Sequence, residues 1–141
     1  RALGIKHMKK VPLNKAAYSE SSKRSVGFEF LGEFYEDKSY MCKKCGKSTV
    51  FSAKDQKITY EVKKQYMWQQ RFLCDSCYKE MNHIKKELYE MEQYYCANKE
   101  QVLQDEAFLR KWLSLLNEYP TFWKKGNNSR IVFIKKALEL I

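Results

Sequence analysis

Histidine is scarce in this chain. Only His7 and His83 occur among 141 residues. That leaves too few imidazoles for a histidine-built nuclease or hydrolase centre, and no nucleophile–base pair can be identified. The five glycines form no Gly-rich phosphate loop. No apolar run approaches the ~18 residues needed to cross a bilayer. The N-terminal "RALGIKHMKK" is basic, but it lacks the apolar stretch and small-residue cleavage site of an export signal. His7-Met8 is what a common cloning junction leaves behind. Residues 1–7 therefore read as a cloning remnant and Met8 as the first native residue.

Acidic residues are also in deficit, 17 against 27 basic ones, for a net charge of +10. The excess is uneven: +3 over residues 1–41, +5 over 42–80 and +2 over 81–141. A basic segment points to a nucleic-acid partner. A second explanation fits equally. Four thiolates around one divalent ion carry a net charge of about −2, and Lys43, Lys44, Lys47 and Lys79 lie beside candidate thiolates and would offset it.

Those thiolates are what the chain does have. Cys42 and Cys45 stand two residues apart in "MCKKCG", and Cys74 and Cys77 repeat the spacing in "CDSC". A Cys-x-x-Cys turn aims two sulfurs at one point, and Gly46 supplies the positive φ such a turn often needs. One pair occurs in redox sites as well. Two pairs, an odd total of five cysteines and no export signal favour a reducing, cytoplasmic setting and a metal. Zinc takes four sulfurs in a tetrahedron. Four thiolates also close the site, because a catalytic zinc keeps a position open for water. The expected role is one structural Zn2+ on Cys42, Cys45, Cys74 and Cys77. An iron–sulfur cluster is less favoured, since the pairs are 28 residues apart.

Around the cysteines, alternating Phe28 and Phe30 suggest a strand. "STVF" at 48–51 is β-prone. Ser52 with Asp55 opens a short helix over 53–63, and "QYMWQQRFLC" reads as a strand running into Cys74, the alternative for the second pair being to open straight into a helix. Beyond Cys77 the period is helical. Met81, Ile84, Leu88, Met91 and Tyr95 mark a helix over 76–96. Phe108, Trp112, Leu115 and Tyr119 mark another over 101–118, ended by Pro120. Ile131, Ile134, Leu138 and Ile141 mark a third, capped by Asn128 or Ser129. His83 reads as a solvated helix histidine and Cys96 as a small, partly buried hydrophobe.

"VPLNKA", "FYEDKSYMCKKCGKSTVFSAKDQKITYEV" and "CDSCYKE" resemble a bacterial family described as a probable zinc-ribbon domain. Its pattern falls on Tyr35, Asp37, Cys42, Cys45, Gly46, Val50, Phe51, Ser52, Ala53, Gln56, Tyr60, Glu61, Cys74 and Cys77. Thr59 stands where an aromatic is common, and Tyr78 where Arg is common. The resemblance implies a four-cysteine zinc ribbon over about residues 8–80 and little about activity.

The resulting expectation is an α+β protein: a zinc ribbon of short strands and a short helix over 8–80, then a C-terminal extension of about three helices over 81–141. Its expected function is binding without catalysis. Lys57, Lys63, Lys64, Trp68 and Arg71 would contact DNA or RNA, rings stacking on bases while cations meet phosphates. Alternatively these aromatics form the ribbon's own core. A competing function is a protein adaptor working through the helical extension, with Trp112, Phe122 and Trp123 presenting a partner groove or a dimer face. A membrane and a small-molecule substrate are not expected as partners.

Overall fold

The computed structural model describes residues 10–141. The suggested cloning remnant and native start lie outside them. The chain divides into two compact units. One comprises the described part of Arg1–Met41 with Lys47–Phe72, and the other joins Cys42–Gly46 to Leu73–Ile141.

The first unit holds two small antiparallel ladders. Strand β1 (Val11–Pro12) pairs with β2 (Phe34–Tyr35), placing Val11 opposite Tyr35. Strand β3 (Lys38–Met41) pairs with β4 (Ser48–Phe51), with Lys38 opposite Phe51 and Met41 opposite Ser48. Helix α1 (Glu20–Lys23) starts where the Ser19 side chain accepts from the Ser22 N–H. Helix α2 (Ala53–Lys57) starts where Ser52 accepts from the Asp55 N–H, as the sequence suggests. It widens into a π turn over Ile58–Val62, so the expected 53–63 helix is present in two windings.

Two expected strands are absent. Phe28–Phe30 is a 3-10 turn entered through Gly27, whose φ of 92° turns the chain, and the Phe30 N–H bonds back to the Gly27 carbonyl. Residues 65–74 form no ladder. Three of their N–H groups are engaged elsewhere: Gln65 donates to the Thr59 carbonyl, Gln69 to the Tyr66 carbonyl, and Met67 to the distant Ser22 hydroxyl. An aromatic-rich composition suggests a strand there, but these bonds take the alternate N–H groups of 65, 67 and 69, the row that one partner strand would need.

Tyr18, Tyr35, Phe51, Ala53, Tyr60 and Met67 make this unit's core. The Tyr60 ring stacks against Tyr18 at 5.8 Å and meets Phe51 edge-on at 6.1 Å.

The second unit is helical. Helix α3 (Asp75–Ala97) is followed by α4 (Lys99–Leu103), α5 (Glu106–Glu118) and α6 (Asn128–Glu139). The first and last match the expected helices within about two residues. The helix expected over 101–118 is broken, because Asp105 caps α5 by accepting from the Phe108 N–H at 3.1 Å. Asn127, not Asn128 or Ser129, caps α6. Tyr95, Val102, Leu109, Trp112, Leu116, Ile134 and Ala137 form the core. On α5 the buried stripe is Leu109–Trp112–Leu116. The expected stripe shares only Trp112 with it, since apolar residues flank both sides of that ring and spacing alone does not choose between them. Ile141 is exposed although it was expected on the inward stripe: it follows the end of α6.

A half-buried ion pair reinforces this core. Arg130 on α6 holds both Glu92 oxygens on α3, and its guanidinium lies 5.1 Å from the Tyr95 and Phe133 rings and 5.3 Å from Trp112.

Candidate metal centre

The first cysteine pair forms a knuckle in the loop between β3 and β4. Cys42 follows the last residue of β3, and the Gly46 N–H closes the turn by bonding the Cys42 carbonyl at 2.8 Å. Gly46 has φ 77°, the conformation that its place in the motif suggests. The Cys45 N–H points at the Cys42 sulfur at 3.5 Å.

The second pair needs no hairpin of its own. Cys74 is the N-cap residue of α3, and Cys77 lies in its first turn. A helix start brings free N–H groups and the positive end of the helix dipole, both favourable to a thiolate. The Ser76 hydroxyl lies 3.4 Å from the Cys74 sulfur.

The four sulfurs lie within 4.8 Å of one another. Cys45 and Cys74, from different pairs, are 3.7 Å apart. Four sulfurs about 2.3 Å from a central zinc would be separated by roughly 3.8 Å, whereas a disulfide would need about 2.05 Å. All four thiols are free. Cys42, Cys74 and Cys77 are buried, and Cys45 is exposed.

The acidities of the cluster are unequal. Burial opposes ionisation of Cys42, but N–H groups of Cys45, Cys74 and Lys44 outweigh it and bring the thiol down to about 6. The Ser76 hydroxyl and the Cys77 N–H also lower Cys74. Burial, then the neighbouring Cys74, Cys42 and Cys45, push Cys77 up to about 12. Such a cluster is ready to ionise in part and resists ionising in full. A cation at its centre removes that resistance. The chemistry and spacing of the donors therefore fit a metal ion, and the four cysteines are positioned to bind one.

Two rings of the same unit also hold the knuckle. The Trp123 indole N–H donates to the Lys43 carbonyl at 3.1 Å. The Lys43 ammonium sits 4.7 Å from the Trp123 ring and Lys44 5.0 Å from the Phe122 ring. Trp112 and Phe122 are completely buried and Trp123 is exposed. Two of the three rings expected to line a partner groove thus pack inside their own unit. The Trp123 clamp has no signal in the local sequence.

Most residues of the family-like pattern prove to be scaffold. The Asp37 carboxylate accepts from the Ala53 N–H at 2.8 Å, and Gln56 donates to the Glu36 and Phe51 carbonyls at 2.6 and 3.0 Å. Glu61 accepts from the Tyr35 hydroxyl at 2.7 Å and the Asn14 N–H at 2.9 Å. Together these bonds fasten α2 against the strands that carry the knuckle.

The five residues expected to meet nucleic acid each have their own surroundings. Lys57 bonds the Pro12 carbonyl at 2.7 Å and Glu61 at 2.9 Å. Lys64 reaches the Ala17 carbonyl at 2.5 Å. The Arg71 guanidinium lies 4.1 Å from the Phe51 ring and donates to Thr59 at 3.4 Å. Lys63 is exposed, and Trp68 is half-exposed with its indole N–H on the Val26 carbonyl at 3.0 Å. Among the nearby rings, Tyr60 belongs to the core while Tyr66 stays exposed. Of the two readings of these aromatics, the core reading holds for Tyr60, while Tyr66 and Trp68 remain exposed. His83 is solvated and pairs with Glu87 at 3.2 Å. Cys96 is exposed rather than partly buried, because it follows Tyr95 and falls outside the buried stripe of α3.

No match to the chain is found among curated proteins or solved structures. Among the described residues, no helix is long and apolar enough to cross a membrane. The architecture is α+β, a four-cysteine hairpin region followed by helices, and its residues 36–86 match the model of a family described as a probable treble clef domain.

Proposed function

We propose that the chain is a non-enzymatic zinc module that binds nucleic acid. Cys42, Cys45, Cys74 and Cys77 hold one structural Zn2+, which ties the β3–β4 loop to the start of α3. The single observation that carries the metal reading is the sulfur cluster, all within 4.8 Å and built from two independent turns. Bound zinc supplies a cross-link. Four protein sulfurs leave no position for a substrate, which supports a structural role over a catalytic one. Free thiols and a thiolate-bound metal suit the cytoplasm.

Nucleic acid is the favoured partner because the basic excess peaks over residues 42–80, at +5. Lys63 and Trp68 stand exposed within that stretch. The adaptor reading has less support, since Trp112 and Phe122 are buried within the helical unit.

Metal content by mass spectrometry tests the first half: one zinc per chain is expected, and metal-free reduced protein with an unchanged melt would overturn it. A mobility shift at low and moderate salt tests the second half. Binding that weakens steeply as salt rises is expected; no shift at low salt would overturn it.

A further inference from the structure

The Val62–Gln70 loop is unusual in being both exposed and fixed. Every residue in it except Met67 is exposed. Yet the Met67 N–H donates to the buried Ser22 hydroxyl at 2.9 Å, and the Gln65 N–H bonds the Thr59 carbonyl at 3.0 Å. Trp68 is pinned through its indole N–H to the Val26 carbonyl and lies on the backbone of Gly27. A Cβ at residue 27 would come within 3.0 Å of that ring. Glycine thus lets the indole settle there, and Trp68 as a residue is still 54% exposed.

An exposed tryptophan held in one pose loses little freedom when something stacks on it. The surrounding charge indicates what that is. Residues 62–74 contain Lys63, Lys64 and Arg71 and no carboxylate. Arg24, also exposed, falls between Ser22 and Val26, the two residues that anchor Met67 and Trp68. Tyr66 offers a second exposed ring two positions from Trp68. A ring to stack on, flanked by cations, is the recognition chemistry of an unpaired nucleic-acid strand. In a duplex the bases are already stacked on one another and offer no free face.

We propose that this loop is a stacking platform for single-stranded nucleic acid, with Trp68 as the ring on which a base lies and Lys63 and Arg24 as phosphate contacts. The proposal rests on the nucleic-acid reading above and sharpens it to a strand state and a place.

Fluorescence anisotropy of the zinc-loaded full chain tests it, using labelled oligothymidylate, oligouridylate and a mixed-sequence DNA duplex at low salt. Both single strands are expected to bind more tightly than the duplex. Trp68→Ala should weaken them roughly 5- to 150-fold, the usual range for one stacked base, while Trp68→Phe keeps most of the affinity. Lys63→Ala should reduce the salt slope by about 0.7. The Met67 and Gln65 anchors do not involve the indole, so the thermal melt of each variant serves as the check on folding. Nucleic-acid binding that Trp68→Ala leaves unchanged would overturn the platform but not the broader reading. No binding to any of the three probes would overturn both. Polyglutamate competing as well as oligothymidylate of equal charge would also overturn the platform, and would mark the loop as a site for acidic protein segments.

Discussion

The two units reach order by different routes. The helical unit buries a continuous set of aliphatic and aromatic side chains, including completely buried Val102, Leu109, Trp112, Phe122 and Ile134. Its stability follows from removing apolar surface from water, at about 1.5–3 kcal/mol per large side chain. The other unit has two short ladders, and its core tyrosines carry hydroxyls. There the polar groups are matched one by one: Asp37 to Ala53, Gln56 to Glu36, and Glu61 to Tyr35, Asn14 and Lys57. A unit of this kind gains little from its regular structure alone and depends on particular bonds. The contrast teaches where damage should spread.

Metal removal should give the largest effect and break the comparison most sharply. The knuckle lies between the last residue of β3 and the first of β4, so releasing its sulfurs opens the longer ladder at its closed end. Structural zinc contributes about 10–16 kcal/mol in zinc-finger peptides. With a chelator, or in Cys42→Ser, hydrogen exchange over 34–60 should become fast. Leu109 and Ile134 should remain protected, because their burial involves no sulfur. Simultaneous loss of both signals would show that the helical core does not stand by itself.

Next comes Trp112→Ala, which empties the centre of the helical core. The expected cost is about 3–5 kcal/mol, read as a lower melting temperature. Metal content should be unchanged. Arg130→Ala removes the cation from three rings and unpairs Glu92. About 2 kcal/mol is expected, since both partners are half-buried and the bond is bidentate.

How much of this was legible in the residues depends on what kind of force fixes each element. The helices were legible because burial repeats at the helical period: Met81, Ile84 and Tyr95 are buried as expected. The meeting of the four cysteines was legible because two Cys-x-x-Cys turns suggest one cluster, and Gly46 because its turn needs a positive φ. The sequence could not reveal that Asp105 would cap a new helix, since a lone Asp within a periodic stretch gives no sign of its partner. Nor did it locate the 65–74 loop, whose anchors at Ser22 and Val26 lie more than forty residues away. Glu61 and Gln56 were recognised by resemblance, but their work as fasteners appears only once their distant partners are in place.

Glu61 gives a smaller, pH-dependent effect. Its side chain is only 7% exposed. Burial alone would raise its pKa, but the Asn14 N–H, Lys57 and the Tyr35 hydroxyl outweigh burial and hold it below the usual carboxylate value. Burial first, then the bonds to Tyr18 and Glu61, raise the Tyr35 hydroxyl far above its ordinary range, so it remains a donor. A depressed carboxylate pKa stabilises the fold above the unfolded value, about 4.3, and that stability is lost as pH falls through the folded value. Glu61→Gln should therefore cost about 1–3 kcal/mol near neutral pH. The gap between wild type and variant should close as pH falls below about 4, measured by chemical denaturation at each pH. A gap that stays constant down to pH 2 would show that the charge of Glu61 is immaterial.

The smallest effects compare like with like, one helix cap from each unit. Asn127→Ala removes the bond from the Arg130 N–H at the start of α6, and about 1 kcal/mol is expected. Ser52→Ala removes the equivalent bond from Asp55 at the start of α2. That helix is only five residues long before its π turn, too short to persist without outside support. Its first N–H, on Ala53, is already held by Asp37. Two separate side chains thus satisfy two donors in the first turn of one helix, and they should act as a unit. Ser52→Ala and Asp37→Asn are each expected to cost about 1 kcal/mol, and their combination should depart from the sum by about 0.5 kcal/mol or more, as groups sharing one network do. Asn127→Ala combined with Asp37→Asn should be additive, because those sites share no partner. Strict additivity in both pairs would mean that the polar bonds of the smaller unit are independent, and that its order comes from burial just as the helical unit's does.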